Sequence, residues 1–144
     1  MDQLGFLNRC LVLSNARRRA ASDRWLARQE AHDKLHAAAH HAGMAAGTAA
    51  QPEPMRVIDG TTGTAWTVPE GPCGFAWVKV SARGSFARWA LVSGLMRKSC
   101  AEPGAFLRVH EFGQSMIRKE AYAKAYADRL NRAGIDATYG SRLD

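Results

Sequence analysis

The chain has 144 residues, 47% of them hydrophobic and 23% charged, and twenty Lys and Arg against thirteen Asp and Glu give a formal charge of +7. This composition excludes an intrinsically disordered chain and suits one ordinary domain with an added helical arm. The positive balance favours an anionic partner: nucleic acid, a phosphorylated ligand or an acidic protein surface.

From Leu4 to about Gly43 the residues are strong helix formers without proline, rich in Ala, Arg and Leu, which predicts two helices or one kinked helix. Ser14-Asn15 and Ser22-Asp23 can supply starts, because short polar side chains accept from the free N–H groups of a first turn. Trp25, Leu35, Ala38, Ala39 and Ala42 fall near one face. That face is thin, so the helix must pack closely on something or stay marginal. The apolar residues of the first dozen, Phe6 among them, are interrupted by Asp2, Asn8 and Arg9 and followed by Arg17-Arg18-Arg19. The order is wrong for a signal peptide and the run too short for a membrane span.

Gly43 to Pro54 reads as a linker. Met55 to Ile58 and Thr64 to Val68 then flank Asp59-Gly60-Thr61-Thr62-Gly63, the pattern of a hairpin with a loop of about five residues. In Phe75 to Val80, Ala76, Val78 and Val80 share one face of a strand, and Phe75, Trp77 and Lys79 the other. Ser85 is placed to cap a helix from Phe86 to about Lys98, with Gly94 weakening its middle. Ala105 to His110 alternates as a second strand. Gly113-Gln114-Ser115 opens a helix over Met116 to Ala133, with Tyr122, Tyr126, Leu130 and Ala133 as its buried stripe and Gly134 at its C-terminal cap. Ile135 to Tyr139 closes the order as a strand. The predicted class is α/β (α+β): a helical arm (1–46), a linker with a hairpin (47–72) and a compact two-layer domain of β-α-β-α-β order (73–144).

Three lines of chemistry arise from these elements. His32, His36 and His40, continued by His41, stand at four-residue spacing, where two imidazoles can share a metal; the simpler reading is the solvated face of an alanine-rich helix. Lys79, Arg83, Arg88, Arg97, Lys98, Arg108, Arg118, Lys119, Lys124, Arg129, Arg132 and Arg142 are spread through the strands and helices of a basic last third in which Trp77, Phe106 and Tyr139 stand on sheet faces. Aromatics rimmed by cations can stack bases and hold phosphates, although core packing against a helix is the better account for at least two of the three rings. Ser115 is a helix cap, with an anion beside Arg118 and Lys119 as its second reading. Cys73, Cys100, His110 and Glu111 have the residue types of catalysis, but nothing distinguishes a triad from chance. No GxGxxG, GxxxxGK[ST] or CxxC occurs, so no cofactor is expected, and three separated cysteines suit a reducing compartment.

Cys73-Gly74-Phe75-Ala76-Trp77-Val78, then Gln114-Ser115 with Lys119-Glu120-Ala121 and Ala123, and finally Ala133-Gly134-Ile135-Asp136-Ala137 ending in Tyr139-Gly140-Ser141-Arg142-Leu143-Asp144, resemble a widespread group of small, mostly uncharacterised tailed-phage proteins. The resemblance covers residues 73–144. It implies a phage origin and an accessory role, with no particular reaction; with the separated cysteines and the lack of a signal-peptide pattern, the expected location is the host cytoplasm. The expectation is therefore a binding protein that inhibits a host defence or regulatory nucleoprotein complex or takes nucleic acid. Arg118, Lys119, Arg129, Arg132 and Arg142 are its expected contacts. The alternatives are a virion or assembly component, self-associating through the N-terminal helices, and, last, a small enzyme.

Overall fold

The computed structural model describes the backbone of residues 3–144 and their side chains apart from those of residues 3, 5 and 6, so Phe6 lies outside the described side chains. Helix α1 (Gln3–Ala49) is a single element of 47 residues, where the sequence suggested two helices or a kink. The chain divides into two compact units between Lys34 and Leu35. In the first, Leu7, Leu11, Val12, Leu13 and Leu26 are exposed, as is Trp25, which had been expected on a buried face. Glu30 and Lys34 pair one turn apart at 2.7 Å. No helix among the described residues is long and apolar enough to cross a membrane.

In the second unit the last turns of α1 solve the problem of a thin apolar face by close approach. Ala39, Gly43 and Gly47 recur every four residues and are buried. A Cβ at Gly43 would lie 2.7 Å from the Tyr122 ring, and one at Gly47 2.3 Å from the Phe112 ring. The glycines that resembled a linker are thus helix-interior positions. Each costs about 1 kcal/mol in propensity, offset by the aromatic ring it admits. Phe112 reaches Gly47 from a left-handed turn, with φ 66° at Phe112 and 58° at Gly113.

Strands β1 (Met55–Ile58) and β2 (Ala65–Val68) form the expected antiparallel hairpin. Its loop is held by the Asp59 side chain, which accepts from Thr61 N–H at 2.7 Å and Thr62 N–H at 3.2 Å. Gly63, with φ 72°, takes the left-handed position.

The remaining elements are β3 (Gly74–Val80), α2 (Ser85–Val92), β4 (Arg97–Lys98), β5 (Ala105–Arg108), α3 (Met116–Arg132) and β6 (Ala137–Leu143). They build an α+β unit with one four-stranded sheet in the order β4-β5-β3-β6, every neighbour antiparallel. The chain order is β-α-β-β-α-β, because α2 stops early: Gly94 adopts φ 78° just after Ser93, and the residues expected to continue the helix become β4. Gly84, not Ser85, is the α2 N-cap. β6 runs past the predicted strand to Leu143 and pairs with β3 over its full length, from Val80↔Ala137 to Gly74↔Leu143. This is the connectivity and strand order of the ferredoxin-like, split β-α-β arrangement.

One sheet face carries the core. Ala76, Val78 and Val80 are buried against Phe86 and Ala90 of α2 and Tyr122, Tyr126 and Leu130 of α3. The alternation in β3 is complete, each even-numbered residue buried and each odd-numbered one partly exposed. Ser115 caps α3, accepting from Arg118 N–H at 3.5 Å, and Gly134 follows its last turn with φ 83°. Ala133, expected in the buried stripe, is the exposed C-cap.

Candidate functional site

The opposite sheet face carries the residues of interest, and strand register arranges them in rows. Residues directly opposite in antiparallel strands project from the same face. The first row is Arg97 on β4, Phe106 on β5, Lys79 on β3 and Thr138 on β6. Next come Arg108, Trp77 and Gly140, and then Phe75 with Arg142. Phe75, Trp77 and Phe106 are half-buried, while Arg97, Arg108 and Arg142 are exposed. The two helices that follow β3 and β5 cover the other face, so the same alternation that fills the core leaves these rings at the surface.

Each ring has a defined setting. Trp77 lies across the backbone of β6 at Gly140, where an added Cβ would meet the indole at 2.6 Å. Only glycine leaves room for that flat placement. The guanidinium carbons of Arg108 and Arg142 stand 4.6 Å and 5.4 Å from the centroid of Phe75. Lys79 Nζ is 5.5 Å from the Phe106 centroid and donates to Glu102 Oε2 at 2.8 Å. These are cation–π distances, with Lys119 Nζ a third cation over Phe75 at 5.8 Å, so the positive groups sit over the ring faces in the free protein.

An open groove of about 1040 Å³ follows this face and turns around the sheet edge beside β4. Because β4 pairs only with Phe106 and Ala105, Leu107 and Arg108 have no partner from β4. The notch left there opens toward His40, His110, Glu111 and Tyr122.

The structure separates the five basic residues singled out from the sequence. Arg142 stands on the open face. Arg118 and Lys119 are instead engaged by the fold. Arg118 Nη1 donates to the carbonyls of Gly47, Thr48 and Ala50 at 2.9 to 3.0 Å, and its Nε to Glu70 Oε2 at 2.7 Å. It thereby satisfies carbonyls at the C-terminus of α1 and holds the Glu70 carboxyl below its ordinary range. Lys119 is buried, with Nζ donating to the Gly74 carbonyl at 3.2 Å. Both cations assigned to an anion at the start of α3 are therefore turned to backbone carbonyls. Arg129 and Arg132 lie in the last turn of α3, where positive charge complements the helix dipole. Of the aromatics, Trp77 and Phe106 are on the open face, not packed beneath a helix, whereas Tyr139 stands opposite Val78 on the helix side and is itself exposed. Phe75 had been read only as part of an alternating strand; its place beside Arg142 depends on the register of β6, which residue spacing within β3 does not reveal.

The histidine row is likewise not a solvated face. His36 Nδ1 is hydrogen bonded to Tyr126 Oη at 2.7 Å, and His40 Nδ1 to Tyr122 Oη at 2.6 Å. Among the described residues no group of three or more His, Cys, Asp or Glu is placed to hold a metal ion. Burial pushes both phenols well above their ordinary range, reinforced at Tyr122 by the Glu111 charge and at Tyr126 by Tyr122. A raised folded-state value means the neutral phenol is favoured by folding, so its stabilisation is complete below the unfolded value of 10.0 and is lost as pH rises beyond it. Urea midpoints are accordingly expected to fall from about pH 10 upward. The Tyr122→Phe/Tyr126→Phe double variant is expected to show a flatter alkaline decline from a lower starting stability; an unchanged slope would discount the phenols.

Comparison with protein-family models, with curated proteins and with solved structures gives no match.

Proposed function

We propose that the open sheet face binds single-stranded nucleic acid, with bases stacked on Trp77, Phe106 and Phe75 and phosphates held by Arg97, Arg108, Arg142 and Lys79. The observation that carries this reading is the uncovered face itself, with three half-buried rings in register with these cations. A ring flat on a sheet offers its face to a base only if that base is unstacked, which favours single strands over a duplex. RNA-recognition modules place aromatics on the same kind of four-stranded sheet. Since one topology serves many functions, the stronger support is the side-chain pattern, together with the charge of +7.

Arg108 and Arg142 sit over Phe75 in the free protein, and stacking of a base there requires these long side chains to swing aside, toward the phosphates. The test is fluorescence anisotropy with labelled twelve-residue RNA and DNA, single-stranded and duplex, across a salt series. Single strands are expected to bind more tightly, with a slope of log K against log salt of roughly −2 to −3 for about four phosphate contacts. Equal duplex binding, or none at all, would refute the reading. Nuclease-resistant capture of a protein complex without oligonucleotide binding would replace it by a host protein partner.

A further inference from the structure

We infer that the notch beside β4 is a base-selecting pocket, in which Glu111 favours bases bearing an exocyclic amino group, namely adenine, cytosine and guanine, over uracil and thymine. The inference rests on the reading of the sheet face as a single-stranded platform and names what that platform selects. The groove is continuous from Trp77 and Phe106 to His40, Glu111 and Tyr122. A base leaving the last stacking position at the β5 edge therefore meets a polar wall instead of open solvent.

The chemistry of that wall is set by one oxygen. A carboxylate on a phosphate-binding surface works against the phosphates, so its orientation matters. Glu102, also on the groove, is paired with Lys79 at 2.8 Å. Glu111 differs. Its Oε2 accepts from the His110 backbone N–H at 3.0 Å, which fixes the side chain. Its Oε1 lies 4.0 Å from His40 Nδ1, beyond hydrogen-bond reach, and that nitrogen is bonded to Tyr122 Oη at 2.6 Å. Oε1 consequently retains accepting capacity toward the groove, with the side chain 34% exposed. An exocyclic amino group donates to such an oxygen, the contact by which acidic side chains read cytosine. Uracil and thymine present a carbonyl at the corresponding position, and two acceptors then face each other with no proton between them. A charge-assisted hydrogen bond of this kind corresponds to a preference of about tenfold.

The test measures affinities of single-stranded oligo(A), oligo(C) and oligo(T) of equal length for the full chain and for Glu111→Gln, which keeps an oxygen for the His110 N–H. The unsubstituted protein is expected to bind oligo(A) and oligo(C) about tenfold more tightly than oligo(T). In Glu111→Gln the ratio is expected to collapse, mainly because oligo(T) binds better to an amide that can donate. Glu111→Ala, checked for folding by circular dichroism, is expected to lose the preference as well. Oligonucleotide binding with no base preference, or a preference that survives both substitutions, overturns the pocket and leaves the platform standing. An equal tightening for all three oligonucleotides also overturns it, since simple removal of negative charge has that effect. Failure of the unsubstituted protein to bind any of the three overturns the platform, and the pocket with it.

Discussion

Alanine at Trp77 is expected to weaken binding of a single-stranded oligonucleotide by roughly 1–3 kcal/mol, or about five- to 150-fold, the range for removing one base-stacking ring. The double variant Trp77→Ala/Phe106→Ala is expected to abolish measurable binding at micromolar protein. Both rings project from the face opposite the core, where Ala76, Val78 and Val80 are fully buried. The unfolding free energy should therefore change by only about 1 kcal/mol, much less than for a large core residue. Anisotropy titration and urea denaturation on the same samples separate the two effects. Affinity retained in the double variant would exclude the sheet face as the stacking surface. As a comparison, Tyr139→Ala removes a ring of the same sheet from the helix side and should leave affinity within about twofold, a change of roughly 0.4 kcal/mol.

Charge reversal at Arg118 is expected to act on folding before it acts on any partner. Arg118→Ala removes donors to carbonyls at the C-terminus of α1 and to Glu70, a loss of about 2–3 kcal/mol for hydrogen bonds made by a charged group. Arg118→Glu adds a carboxylate beside Glu70 and at the negative end of the α1 dipole, so its cost should be larger. Arg118→Lys keeps the charge but replaces a planar fork by a single ammonium and should fall between the unsubstituted protein and the alanine variant. The checks are urea midpoints and helix content by circular dichroism. An Arg118→Glu protein as stable as the original would show that the cap contributes nothing. The same logic applies to Lys119, whose Nζ meets the Gly74 carbonyl in a buried setting.

What could be read in advance was whatever local sequence determines. The stripe Tyr122, Tyr126 and Leu130 is fully buried, and Ser115 and Gly134 bound α3 as their side chain and φ preference require. The alternation of Phe75 to Val80 fixed which residues share a face, and the structure keeps those faces. It did not fix which face a helix would cover. That depends on both helices packing on Ala76, Val78 and Val80, a long-range outcome with no local signature. Core packing is for this reason the better account, from sequence, of at least two of Trp77, Phe106 and Tyr139, whereas Trp77 and Phe106 stand on the open face. The same limit concealed the end of α1. Gly43 and Gly47 break helices by propensity, but Tyr122 and Phe112, about 80 and 65 residues further on, stabilise the helix through them. His36 and His40 lack a local mark for burial as well, since their partners lie on α3. The candidate site was legible in composition and at Arg142; its register needed β6.

The missing side chain at Gly140 has a kinetic consequence. With the Trp77 indole lying against the backbone there, the ring's freedom is restricted before any ligand arrives. Immobilising a mobile interface side chain costs about 0.5–1.5 kcal/mol on association, and here that ordering belongs to folding instead. Under the proposed function a ligand meets an indole already held in place, so related ligands should differ in how long they stay more than in how fast they arrive.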